Sequence, residues 1–151
     1  MKTIGFALSV ALTALLLSSA SVAAEKKAIR PKEFVNAAGP ILPYTPGILI
    51  DGTLYAAGQT GRDLKTNRIP EDFETEVKTC LDNIAIVLKE AGMSFNDAVA
   101  VQVYLTDLEL FPRMNAVYST YFKDPRPART TVGVTKLVGG ARIEVTVTAH
   151  K

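Results

Sequence analysis

The chain has 151 residues, 48% of them hydrophobic, and a formal net charge of +2 from 17 Lys+Arg against 15 Asp+Glu. That length suits one domain behind a leader and is short for two. A near-neutral chain with no dense basic patch is poorly suited to nucleic acid, and one cysteine, one histidine and no Cys-x-x-Cys pair argue against an internal disulfide, a metal cluster or a histidine-based triad.

In chain order, residues 1–24 read as a cleaved secretory signal peptide. Lys2 gives the positive start, Phe6 to Leu17 the uncharged apolar run, and Ser18 to Ala24 the small residues. Ser21-Val22-Ala23 or Val22-Ala23-Ala24 fits the small-x-small cleavage rule. The apolar run is shorter than the ~20 residues of a spanning helix, so no stable membrane anchor is expected after cleavage. The mature chain is expected to begin near Ala24 or Glu25 and to be periplasmic or secreted. Lys2 is the only charged residue lost, which leaves a net charge of about +1. Residues 25–39 read as an N-terminal extension, with Lys26, Lys27, Arg30 and Lys32 in a solvated tail and a short strand near Phe34 to Asn36.

The remaining residues, 40–151, read as one domain. Ile48-Leu49-Ile50, Asp51-Gly52 and Leu54-Tyr55-Ala56 form a hairpin signal, because Asp-Gly supplies the positive φ angles of a tight turn. Gly58-Gln59 ends the second strand; Gly58 fits either a turn or a close approach of backbone to a ligand. From Asp72 to Ala91, apolar residues at Phe73, Val77, Cys80, Leu81, Ile84, Val87, Leu88 and Ala91 recur at helical spacing, and Gly92 stops the helix. Cys80 within that stripe reads as a small core residue. Val99, Val101, Val103 and Leu105 alternate as a strand, and Leu110 to Phe122 returns to helical spacing with Pro112 in its first turn. Two strands close the chain, around a Gly139-Gly140 loop. Two amphipathic helices on one face of a sheet make a two-layer α+β domain. The other face stays open, with Gln102, Tyr104, Thr131, Glu144 and Thr146 expected on it, and an open face invites oligomerisation.

The last two strands carry the chemistry. Arg129, Thr131 and Gly133 share one face by period-two alternation, and Glu144 sits on the non-core face of its own strand. An arginine fixed on a strand presents a fork that matches a carboxylate in two parallel hydrogen bonds. A glutamate can position or deprotonate water. The pattern by itself also admits an ion pair between Arg129 and Glu144.

Pro127-Ala128-Arg129-Thr130-Thr131-Val132-Gly133-Val134 followed by Arg142-Ile143-Glu144-Val145-Thr146-Val147 resembles the C-terminal signature of the RidA/YjgF family of imine and enamine deaminases, also labelled L-PSP endoribonuclease-like. Leu42 to Gly47, Leu54 to Gly61, Thr79 to Val99 and Val101 to Phe122 agree in order and spacing. The resemblance implies a chorismate mutase-like fold, a homotrimer whose sheets form a central barrel, and three pockets between subunits. It implies that Arg129 holds a substrate carboxylate and Glu144 orients the attacking water. Tyr44, Gly58, Asn115 and Thr131 are implied as substrate-binding residues, and neither a metal nor a cofactor is implied. Two positions depart from the common pattern: Thr131 stands where many members have cysteine, and Ala57 where many have serine. The implied reaction is hydrolysis of a 2-imino or 2-enamino acid to a 2-keto acid and ammonia. The alternative is a periplasmic carboxylate-binding or holdase-like protein on the same fold. The ribonuclease label is disfavoured by the charge, the lack of a usable histidine and the expected export.

Overall fold

The computed structural model of the protein describes residues 24–34 and 42–151. The expected signal peptide, apart from Ala24, and Val35 and Asn36 of the expected short strand lie outside the described residues. Among the described residues no helix is long and apolar enough to cross a membrane.

Seven strands form one sheet: β1 (Lys27–Ile29), β2 (Gly47–Ile50), β3 (Thr53–Ala56), β4 (Gln59–Thr60), β5 (Ala98–Leu105), β6 (Ala128–Gly133) and β7 (Ile143–His150). The order is β1-β2-β3-β7-β5-β6, with β4 also paired to β7. Every pairing is antiparallel except β5 with β6. That parallel pair needs a crossover, and α2 (Phe111–Tyr121) lies in the connection. The β2–β3 turn is the expected one, with Asp51 at φ 46° and Gly52 at φ 72°.

Helix α1 (Phe73–Glu90) begins where Asp72 accepts from the Thr75 backbone N–H and hydroxyl, both at 2.7 Å. It ends at Gly92, at φ 73°. Its stripe of Phe73, Val77, Cys80, Leu81, Ile84, Val87 and Leu88 is fully buried against Leu54, Val101, Val103, Leu105, Ile143, Val145 and Val147. Burying each large side chain contributes roughly 1.5–3 kcal/mol before entropy, so this helix–sheet layer carries most of the fold. Cys80 sits within it as expected. Its Sγ donates to the Gln59 carbonyl at 3.0 Å, and burial pushes its thiol pKa far up, which leaves it an inert core residue.

Four details differ from the sequence reading. Lys27–Ile29 of the expected tail is an edge strand, with Ile29 buried. Phe34 closes a 3-10 turn instead of opening a strand. The second strand stops at Ala56, and Gln59–Thr60 form a separate strand against β7. Val99 is half exposed, because the β5–β7 register shifts between Ala98 and Ala100. Such a bulge turns one residue out of the alternation.

Candidate active site

The hydrogen-bonding register decides where the candidate residues point. Laterally paired side chains project from the same face of a sheet. Arg129 pairs with Val101 and Thr131 with Val103, both buried under the helices. Arg129, Thr131 and Gly133 therefore face the helical layer, and Val132 faces the open side, 41% exposed. This corrects the expectation that Thr131 lies on the open face. Glu144 pairs with Tyr104 and Thr60, one step out of phase with the buried Ile143 and Val145. It points to the open face, as expected.

Arg129 and Glu144 thus lie on opposite faces of one sheet. They are two strands and three residues apart, roughly 14 Å between backbones at ordinary strand spacings. They form no ion pair, and a single chain does not bring them to one place.

Each anchors its own recess. On the helical side, Arg129 lines a hollow of about 410 Å³ with Asn115, Tyr118, Ser119, Arg126 and Pro127. Its guanidinium lies 4.5 Å from the centre of the Tyr118 ring and 5.6 Å from that of Phe111. Both rings belong to α2, so packing and cation–π attraction fix the fork. No carboxylate is paired with Arg129 among the described residues. Tyr118 is 5% exposed, yet among the described residues its hydroxyl has no hydrogen-bond partner of good geometry, and neither has the buried Thr131 hydroxyl. Burial raises the Tyr118 pKa, against the opposing charges of Arg129 and Arg126. Asn115 is therefore beside Arg129; Thr131 is on the same face but outside the lining.

The second recess, about 600 Å³, is lined by Tyr44, Gly58, Glu144, Arg62 and Asn83 among others. Tyr44 is half exposed at its rim. Gly58 is required by close approach: a Cβ there would lie 2.0 Å from Glu144 Oε1. The partner is thus a carboxylate of the same chain, which neither sequence reading of Gly58 anticipated. Arg62 ties the rim together, donating to the Asn67 carbonyl at 2.8 Å and to Gly139 O at 3.4 Å. Glu144 accepts no hydrogen bond among the described residues, so both oxygens are available to a water or a ligand.

The six candidate residues therefore divide into Tyr44, Gly58 and Glu144 in one recess, Asn115 and Arg129 in the other, and Thr131 next to the latter. Sequence reading missed Tyr118, which passes for one more member of an aromatic core stripe, and Arg126, whose repeat of Arg129 across Pro127-Ala128 was the available signal.

Fold and site together define a two-layer α+β protein with an arginine-lined recess and a carboxylate-lined recess on opposite faces of one sheet. The sequence profile described as Endoribonuclease L-PSP matches residues 34–151. A RutC family protein of Sulfurisphaera tokodaii is 41% identical over 113 residues, covering 74% of this chain and 90% of that one. The 2-iminobutanoate/2-iminopropanoate deaminase of Mus musculus is 36% identical over 111 residues, covering 73% and 82%. The crystal structure of YyfA from Yersinia pestis, of the conserved Rid protein family, superposes with a TM-score of 0.76 at 34% identity, covering 84% of this chain and 100% of that one. The chain belongs to the Endoribonuclease L-PSP family, the RidA/YjgF proteins.

Proposed function

We propose that this protein is an exported deaminase of 2-imino and 2-enamino acids that works as a homotrimer, each active site combining the Arg129 recess of one protomer with the Glu144 recess of the next. The observation that carries this reading is the division of two oppositely charged groups, unpaired among the described residues, between opposite faces of the sheet. Its support is the similarity to named imine deaminases. The open face also fits an assembly: Tyr55 and Val132 are exposed on it at 54% and 41%, apolar side chains that a neighbouring protomer would cover.

The chemistry asks little of the protein. A 2-enamino acid tautomerises to the 2-imino acid, whose C2 is already electrophilic. The Arg129 fork holds the carboxylate and fixes the orientation of the imine. Glu144 accepts a proton from water as the oxygen adds to C2 and passes it to the imine nitrogen, giving a tetrahedral 2-amino-2-hydroxy acid. A second proton transfer, from the new hydroxyl to the amine, accompanies cleavage of the C2–N bond, which releases ammonia and leaves the 2-keto acid. No redox change occurs, and neither a metal nor an organic cofactor is needed. Tyr44 and Asn115 border the two recesses from which the pocket is built.

A mixing experiment tests the shared site. Arg129→Ala and Glu144→Ala proteins, each inactive alone, are dissociated together in equal amounts and reassembled. Half of the protomers then offer Arg129 and half of their neighbours offer Glu144, so about one quarter of the sites are complete. Imine loss, followed beside an amino-acid oxidase, is expected to return to about a quarter of the wild-type rate. No recovery after verified subunit exchange would defeat the shared-site reading.

Gly58→Ala tests the Glu144 recess separately. The new methyl must displace a carboxylate 2.0 Å away, and misplacing a water-orienting group by about 1 Å can cost up to about 100-fold in rate. The expected result is a fall in kcat of at least tenfold with an unchanged urea midpoint. Unaltered kcat would remove Glu144 from the reaction.

A further inference from the structure

Two arginines, not one, line the helical-side recess. Arg126 stands at its mouth, three residues before Arg129, which is roughly 10 Å of extended backbone. Pro127 between them fixes one φ angle and stiffens the spacing. Arg126 is held back toward α2, its Nε donating to the Phe122 carbonyl at 3.5 Å, and no described carboxylate is paired with it. Among the described residues the lining contains no acidic side chain. The Tyr118 ring lies beneath the Arg129 guanidinium, its centre 4.5 Å away, and the hydroxyl of this residue, which is only 5% exposed, has no hydrogen-bond partner of good geometry among the described residues. A buried donor left unpaired costs free energy unless a ligand or water completes it.

The inventory of donors exceeds what one carboxylate needs. The Arg129 fork satisfies two acceptor positions, and Asn115 and the Arg126 guanidinium add further donors to the same hollow. Two like charges in one hollow also repel, and a single carboxylate neutralises only one of them. A ligand with two acid groups answers both points: one carboxylate on Arg129, the second on Arg126.

We propose that Arg126 is a specificity-determining residue that gives this site a preference for imines of dicarboxylic amino acids, with a second carboxylate on the side chain, over imines of neutral amino acids. The proposal rests on the deaminase reading above for its chemistry. Its binding part stands on the recess alone. Arg126 contacts the far carboxylate and takes no part in water addition, which still occurs at C2 with release of ammonia.

The test uses the mature full-length protein. Flavin-dependent oxidases acting on D-aspartate and on L-leucine generate 2-iminosuccinate and 2-imino-4-methylpentanoate in place, and their loss is followed with wild type, Arg126→Leu and Arg126→Lys. In parallel, titration calorimetry measures binding of two stable product-like acids, 2-oxoglutarate and 2-oxobutanoate. Wild type is expected to favour the dicarboxylic imine in kcat/KM. Arg126→Leu is expected to lower that ratio at least tenfold, mainly through KM, with Arg126→Lys between the two. Preference for 2-oxoglutarate over 2-oxobutanoate should fall in the same order. Equal losses on both imines would mean that Arg126 only helps to hold the first carboxylate, and would overturn the proposal. So would an unchanged ratio, or a wild type that prefers the neutral imine. A wild type that binds 2-oxoglutarate selectively through Arg126 but turns over neither imine would defeat the deaminase reading and leave the dicarboxylate site standing. Failure of both measurements would end both.

Discussion

Arg129→Ala is expected to lower kcat/KM for imine hydrolysis about 100-fold, a loss of about 2.7 kcal/mol in transition-state stabilisation, while leaving the fold intact. The size follows from what the side chain does. A guanidinium offers two parallel, charge-assisted bonds to a carboxylate, roughly twice as strong as neutral ones. This one is pre-oriented by the Tyr118 and Phe111 rings at 4.5 and 5.6 Å, so little rotamer freedom remains to be lost on binding. Arg129→Lys keeps the charge but loses the fork and the flat stacking surface. It is expected to fall between wild type and alanine, with most of its defect in KM. Stability should hold in both variants because Arg129 is an exposed residue of an edge strand with no ion-pair partner among the described residues. Urea denaturation beside the oxidase-coupled assay checks the two claims together. A loss below threefold in protein of normal stability would show that the substrate acid is held elsewhere.

Which residues could be placed from sequence depended on how local their signal was. The Asp51-Gly52 turn, the buried stripe of α1 and the Gly92 stop all lie within a few residues of the structure they dictate. The choice of strand face for Arg129 did not. Period two states that Arg129, Thr131 and Gly133 lie together, and they do; it cannot state which side the helices cover. Val132 and Val134 advertised a core face on apolarity alone, but β6 is an edge strand, and its pairing to β5 sends Val132 outward. The division of Arg129 and Glu144 between two faces is a property of three strands in register, and no one segment carries it. Gln59–Thr60 illustrates the same limit, since its partner in β7 lies some eighty residues away. Val99 was lost to a bulge, where one extra residue breaks the alternation.

Arg142→Ala is expected to cost about 3–5 kcal/mol of folding stability, the range for stripping one partner from a buried ion pair. Glu76 occupies a core-facing turn of α1 between Phe73, Val77 and Cys80, and its side chain is wholly buried. Its carboxylate is satisfied almost entirely by Arg142: Oε1 accepts the backbone N–H and Oε2 accepts Nε, both at 2.6 Å. The same guanidinium donates from Nη2 to the carbonyls of Pro70 and Glu71 at 2.8 and 2.9 Å and lies over the Phe73 ring. It thereby pins the segment entering α1 to the start of β7. Alanine at 142 retains the backbone donor but strands a carboxylate in a low-dielectric interior. Domains of this size hold only ~5–15 kcal/mol in total, so the variant should be close to unfolding at 37 °C. The penalty is the unpaired charge and not the missing attraction, and a double variant separates the two. Glu76→Leu with Arg142→Leu removes both charges and is expected to lose less than Arg142→Ala alone, because apolar replacement of a buried pair is often near neutral. The Arg142 N–H that Glu76 capped is then left open, which keeps the double variant below wild type. Urea midpoints of the three proteins decide the matter: a single-variant cost under 1 kcal/mol, or a double variant worse than the single one, would mean that Glu76 is solvated or paired in some other way.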